Sequence, residues 1–163
     1  MYHLLNKDNP LMHQHVIHVG RHELIRQHFN YHALKNQPLP MWYNRRVISI
    51  NDNLQEEMQM RDILPADALF IRCQDDDSMT EAQAFLIWRE VYNWPHANYV
   101  VHCYLGVSRS AAVAKWIAET LNIYDVELES YQGFNQHIYD LLRSMGDPEI
   151  RMRAELSVIG SQS

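Results

Sequence analysis

Residues 99 to 110 read Tyr-Val-Val-His-Cys-Tyr-Leu-Gly-Val-Ser-Arg-Ser. The run from Tyr99 to Val101 is aromatic and β-branched, which predicts a buried strand. The segment from Ser110 to Leu121 is rich in alanine and apolar on nearly every side, which is typical of a helix packed against a sheet. A strand, a short loop and a helix in this order form an α/β unit. We expect chemistry in the loop, because ligand sites of open α/β sheets lie at the carboxyl ends of strands.

Strands and helices alternate on both sides of this unit. Further strands are predicted at Val16 to Val19, Val47 to Ile50 and Ala68 to Ile71. Helices are predicted at His22 to Ala33 and at about Gly133 to Ser144. Another helix is predicted between the capping box of Thr80 and Gln83 and the helix breaker Pro95. A last helix is predicted at Glu149 to Val158, with Asp147 as N-cap and Pro148 at the first position. This pattern predicts an α/β fold, as a single domain over residues 1–163 with a central, mainly parallel β-sheet flanked by helices.

The composition restricts which partners and which cellular compartment we expect for this protein. The chain has 163 residues, 47% of them apolar, enough for one domain with a substantial core. Its net charge of −6 gives no general attraction to nucleic acid or to an anionic membrane, so neither is predicted as a partner. Two cysteines, no run of about 18 apolar residues and a start that soon turns polar predict a cytoplasmic protein. The oligomeric state stays open.

The residue types of the loop suit a phosphate dianion. A loop that closes onto a helix N-terminus points backbone N–H groups into one concavity, and the helix dipole adds to their field. Gly106 allows the backbone to curl, and the same field favours a thiolate at Cys103. Arg109 can bind two phosphate oxygens with its planar fork. Ser110 can donate its hydroxyl toward the sulfur, and His102 can orient the loop.

This loop resembles the signature of the cysteine-dependent phosphatases, which is His-Cys, five residues, Arg and then Ser or Thr, with Gly three residues after the Cys. The chain is most similar to the tyrosine and dual-specificity type over about residues 45 to 142, including an Asn135 that precedes a helix. The resemblance implies catalysis by Cys103, Arg109 and Ser110. It also implies substrate binding along the loop, by the residues His102, Tyr104, Leu105, Gly106, Val107, Ser108 and Arg109.

In this family an aspartate on a separate loop before the cysteine acts as general acid. The run Gln74-Asp75-Asp76-Asp77-Ser78 follows the strand that ends at Ile71 and precedes the capped helix. Asp75 best matches the family's placement, with Asp76 second and Asp77 third. Because acids also decorate helix N-termini, residue type alone does not choose among the three.

The resemblance implies hydrolysis of phosphate monoesters through a phosphocysteine intermediate, without metal or organic cofactor. Tyr104 and Leu105 stand where phosphoinositide phosphatases often carry Lys or Arg, which favours a phosphorylated protein as substrate, on tyrosine alone or also on serine and threonine. An alternative is a phosphate-binding pseudophosphatase without turnover. Sulfur transfer or arsenate reduction would need another type of cysteine loop or additional resolving cysteines.

Three other features have competing interpretations. The histidines His13, His15, His18 and His22 suggest a metal site, but their spacing is loose for zinc, and surface or capping roles are favoured. Cys73 could form a reversible disulfide with Cys103, although a buried structural thiol is the commoner case. The Met41-Trp42-Tyr43 segment could flank the active site or belong to the core.

Overall fold

A computed structural model of the chain describes residues 14–123 and 133–161. Four strands form one sheet, namely β1 (Val16–Gly20), β2 (Arg46–Asn51), β3 (Leu69–Arg72) and β4 (Tyr99–Cys103). Their spatial order is β1-β4-β2-β3, and every pair is parallel. The four apolar runs of the sequence are therefore these four strands. The predicted α/β fold with a parallel central sheet is confirmed.

Six helices occur within the described residues. They are α1 (Arg21–Ala33), α2 (Leu54–Arg61), α3 (Glu81–Asn93), α4 (Arg109–Thr120), α5 (Gln136–Ser144) and α6 (Pro148–Ser161). The predicted capping box starts α3, since Thr80 and Gln83 exchange side-chain to backbone bonds of 3.1 Å. Asp147 accepts a bond from the Glu149 N–H at the start of α6, also as predicted.

Helix α2 was not predicted from the sequence. Its eight residues bury only Glu57 and Met60, while the side chains of Leu54 and Met58 are exposed, so no apolar stripe marks it. Its start depends on Asn53, whose side chain accepts a bond of 2.9 Å from the Glu56 N–H.

The helices cover both faces of the sheet. A large core cluster joins β4 to helices α3 to α6, through side chains such as Ile87, Ile117 and Leu142. A smaller cluster on the other face contains Leu24 of α1 and Met60 of α2. Trp42 is buried in this smaller cluster, so its interpretation as a core residue is confirmed, whereas the neighbouring Tyr43 is exposed.

Parallel pairing brings the carboxyl ends of the strands to one edge of the sheet. Gly20 at the end of β1 stands opposite Cys103, and Ser49 of β2 stands opposite His102. The segments that follow all four strands therefore meet beside the loop after β4. No helix in residues 14–123 or 133–161 is long and apolar enough to cross a bilayer.

Candidate active site

Cys103 lies at the base of the loop between β4 and α4, with 2% of its surface exposed. The backbone N–H of Gly106 donates to its Sγ at 3.2 Å, and the Ser110 Oγ lies 3.2 Å from the same sulfur. Both contacts are suited to a sulfur that carries negative charge. They also hold Sγ at the N-terminus of α4, where the helix dipole is positive.

The loop is tightly curled and rests on the end of β1. Gly106 has φ of +78°, and a Cβ on it would collide with the backbone of Val19 and Gly20. His18 Nδ1 lies 2.8 Å from the Gly106 oxygen, and the Arg21 N–H donates to the Tyr104 oxygen at 3.0 Å. Residues of β1 and α1 thus support the loop, although no motif before residue 45 indicated such a role.

Arg109 begins α4 and turns back under the cavity, with 4% of its surface exposed. Its Nη1 donates to the Asp52 carboxylate and to the Cys73 backbone oxygen, the latter at 2.6 Å. Its Nε is buried and has no hydrogen-bond partner within the described part of the chain. The guanidinium is thus fixed on one side and has a free donor on the other.

Asp52 was missed by the sequence analysis. It directly follows β2, so its position at the carboxyl end of a strand is a signal that could have identified it. Its carboxylate pairs with Arg109, and its own N–H donates to the Glu56 side chain at 2.9 Å. This second bond ties the loop after β2 to the start of α2.

His102 is fully buried beneath the loop and does not line the cavity. Its Nε2 lies 2.5 Å from the Ser49 Oγ, which also accepts a bond of 3.0 Å from the Asn51 side chain. Burial lowers the pKa of His102 to about 4, so the ring is neutral near pH 7. The sequence analysis placed His102 among the substrate-binding residues, but its ring contacts Ser49 and lies outside the cavity lining. Its orienting role stays a prediction.

The three aspartates after β3 have different surroundings. Asp75 lines the cavity, and its Oδ1 accepts bonds from the Ser108 hydroxyl at 2.7 Å and the Asn135 amide at 3.0 Å. Asp76 accepts a bond of 2.8 Å from the Ser78 N–H, and hydrogen bonds from the Ser78 side chain and backbone hold the pKa of Asp76 below its usual range. Asp77 is exposed and lies outside the cavity lining.

The cavity above Cys103 has a volume of about 500 Å³. Its lining includes the large side chains Tyr104, Leu105 and Val107 of the loop itself. The lining is completed by polar and charged residues, namely Asp52, Asn53, Gln74, Asp75, Ser108 and Arg109. Arg109 is the one cationic side chain among these lining residues.

Cys73 is buried away from this lining, and burial raises the pKa of its thiol to about 11. Both cysteines are free thiols. The proposed disulfide with Cys103 stays a prediction. The observed contribution of Cys73 to the site is its backbone oxygen, which accepts from Arg109.

The histidines near the N-terminus have separate contacts. Arg45 donates to His15 Nε2 at 2.8 Å, and the His22 ring packs edge-on against Tyr104 with centroids 5.6 Å apart. Residues 14–123 and 133–161 contain no group of three or more side chains placed to bind a metal ion. His13 lies outside the described residues.

No protein-family model matches the chain. No curated protein matches it either. Among solved structures, the chain is similar to the crystal structure of the PTP-2 phosphatase of Cydia pomonella, with 23% sequence identity and a TM-score of 0.49. The similarity covers 80% of this chain and 85% of that chain.

Proposed function

We propose that this protein is a cysteine-dependent phosphatase that hydrolyses phosphate monoesters through a phosphocysteine intermediate. The observation that carries the proposal is the surroundings of Cys103. Its sulfur accepts an N–H bond from Gly106 near the N-terminus of α4, below a cavity that Arg109 also lines. The Nε of Arg109 is buried and has no hydrogen-bond partner among residues 14–123 and 133–161. A nucleophilic sulfur and donors for an oxyanion are thus held together.

In the first step the Cys103 thiolate attacks phosphorus, forming the S–P bond as the bond to the leaving oxygen breaks. Backbone N–H groups of the loop and the Nε of Arg109 stabilise the charge on the phosphoryl oxygens. Asp75 gives its proton to the leaving oxygen. In the second step Asp75, now a carboxylate, removes a proton from water, and the water oxygen attacks phosphorus. Ser110, 3.2 Å from Sγ, donates to the sulfur as it departs.

Asp75 is preferred over its two neighbours as the acid. Of the three, Asp75 alone lines the cavity and hydrogen-bonds to the loop of residues 103–108, here called the phosphate loop. Asp76 is engaged in the turn with Ser78, whose N–H donates to its Oδ1 at 2.8 Å. Asp77 is outside the lining. A general acid must reach the leaving oxygen, and the position of Asp75 in the cavity lining supports it for this role.

The cavity lining favours a substrate with a single phosphate on an apolar group. Tyr104, Leu105 and Val107 offer apolar contact to an aryl ring, and no lining cation other than Arg109 is present to hold a second phosphate. Phosphotyrosine in a protein fits this description, and phosphoserine and phosphothreonine remain part of the proposal. Two free thiols fit the reducing cytosol as the proposed compartment.

The test is hydrolysis of para-nitrophenyl phosphate, from pH 5 to 8 in EDTA, by wild type and the variants Cys103→Ser and Asp75→Ala. Asp77→Ala is the matched control, because it removes an exposed acid from the same loop. We expect metal-independent turnover that Cys103→Ser abolishes, that Asp75→Ala lowers by about a hundredfold or more, and that Asp77→Ala leaves unchanged. Binding of phosphate or vanadate without turnover would instead favour the pseudophosphatase.

A further inference from the structure

We propose that Asn135 is a positioning residue that holds Asp75 against the phosphate loop for proton transfer. This inference rests on the proposed phosphatase function. Asn135 lies 60 residues from Asp75 along the chain, yet its side-chain amide directly contacts the loop of residues 74–78, here called the acid loop. Its Nδ2 donates to Asp75 Oδ1 at 3.0 Å and to the Asp76 backbone oxygen at 2.9 Å.

The remaining polar atoms of Asn135 anchor it to two other elements. Its Oδ1 accepts the Ile138 N–H at 3.0 Å, which caps the N-terminus of α5. Its backbone N–H donates to the Ser108 oxygen at 3.1 Å, at the end of the phosphate loop. One residue therefore joins the acid loop, the phosphate loop and a helix, and both hydrogens of its amide point to the acid loop.

Helix α5 is anchored in the hydrophobic core, so it can hold Asn135 in place. Ile138 and Leu142 are fully buried against the large core cluster. His137 of the same helix lies with its Nε2 2.9 Å from the Met79 oxygen, at the far end of the acid loop. The residues from Gln74 to Ser78 are by contrast exposed. The position of Asp75 is thus set by contacts to the phosphate loop and α5.

Both donors to Asp75 bond to the same oxygen. Ser108 Oγ and Asn135 Nδ2 lie 2.7 and 3.0 Å from Oδ1, and no bond to Oδ2 is observed within the described residues. The transferable proton is therefore assigned to Oδ2, since Oδ1 already accepts two bonds. The two donors fix the plane of the carboxyl group, and so the direction in which this proton is given to the leaving oxygen.

The chemistry offers a readout that a general loss of structure would not share. A leaving group such as dinitrophenolate departs without protonation, whereas phenolate needs a proton from the acid. Misplacing Asp75 should therefore lower kcat/KM for phenyl phosphate and leave kcat/KM for 2,4-dinitrophenyl phosphate nearly unchanged, because kcat/KM reports only the steps up to formation of the phosphocysteine. Disruption of the phosphate loop would lower kcat/KM for both substrates.

The variant of choice is Asn135→Ser, because serine keeps a good N-cap acceptor for α5 while it removes the amide donor. We expect kcat/KM for phenyl phosphate to fall by about tenfold, the upper end of what one hydrogen bond between neutral groups contributes. Asn135→Asp also keeps a cap but places a carboxylate beside Asp75, so it should lower kcat/KM for phenyl phosphate further. Gln136→Ala is the matched control, since its side chain bonds to Asp140 and not to the acid loop.

The outcomes separate this inference from the proposed function. An equal decrease of kcat/KM for the two substrates, or no decrease for either, would overturn the role of Asn135. Turnover by the wild type would still support the phosphatase function. Absence of any wild-type turnover would overturn both. Amide hydrogen exchange adds a second measurement: faster exchange in residues 74–78 of Asn135→Ser is expected, and unchanged exchange would count against the contact.

Discussion

Arg109 is paired with Asp52, a residue 57 positions earlier, which is on the loop that follows the neighbouring strand β2. The same Nη1 also donates to the Cys73 backbone oxygen, at the end of β3. The ends of two strands thus orient the guanidinium of a residue that lines the cavity, and within the described part of the chain its Nε has no hydrogen-bond partner. An arginine fixed in this way loses little conformational freedom when it binds an oxyanion.

Asp52→Asn is expected to lower kcat/KM for para-nitrophenyl phosphate by about tenfold to a hundredfold, because it replaces a charge-assisted bond to Arg109 with a weaker one. The measurement is steady-state kinetics alongside thermal unfolding. Asp67→Asn is the control, because the Asp67 carboxylate is 71% exposed and pairs with Arg46 far from the cavity. Similar kinetics for the two variants would show that the Asp52 contact does not orient Arg109.

Gly106→Ala is expected to abolish phosphate binding and to destabilise the fold, since its Cβ would collide with the backbone at the end of β1. Gly133→Ala is a matched control, because Gly133 has a similar φ of +80° and a Cβ on it would meet no atom within 4 Å among the residues that the structure describes. Gly133→Ala should lower the free energy of unfolding only through backbone strain, by about 1–2 kcal/mol. Phosphate titration and urea unfolding measure the two effects. Equal behaviour of the two variants would contradict the close contact.

Alkylation should distinguish the two cysteines. The pKa of Cys73 is raised to about 11 by burial, so at pH 7 its thiol stays protonated and reacts slowly. Iodoacetate, an anion, should therefore modify Cys103 alone, beside the Arg109 guanidinium, and inorganic phosphate should protect it. Peptide mass mapping identifies the labelled residue. Labelling of Cys73 in the folded protein at pH 7 would contradict its burial.

The buried His102 should make stability depend on pH. Burial lowers the pKa of the folded-state ring to about 4, below its value in the unfolded chain. The unfolded state therefore binds the proton first as pH falls, so this contribution is complete above about pH 6.5 and is lost toward pH 4. Between pH 7.5 and 5 we expect a loss of about 2 kcal/mol in the free energy of unfolding.

Urea unfolding at several pH values, for wild type and His102→Gln, measures this effect. The stability difference between them should shrink as pH falls, because glutamine does not titrate. His96→Gln, at an exposed position, is the control and should follow the wild type at every pH. A difference independent of pH would mean that His102 does not stay neutral in the fold.

Local patterns predicted most of the fold. The strands at Val47 and Tyr99 and the capped helix at Thr80 were predictable because burial on both faces and side-chain capping leave direct marks on adjacent residues. Helix α2 has a cap at Asn53 but no apolar stripe, because it buries few residues and its exposed side includes Leu54 and Met58. Its prediction required knowledge of what the helix packs against.

The phosphate loop was the part of the site that the sequence determined by itself. Cys103, Gly106, Arg109 and Ser110 lie within eight consecutive residues, so one strand, one turn and one helix N-terminus are enough to bring them together. Only the tertiary structure decided which residues approach from elsewhere. Asp52, His18 and Asn135 are 32 to 85 residues away from Cys103 along the chain. Their contacts arise because parallel strands end at one edge of the sheet and α5 packs beside them. Such contacts depend on the register of the sheet and the packing of helices, which no short sequence pattern encodes.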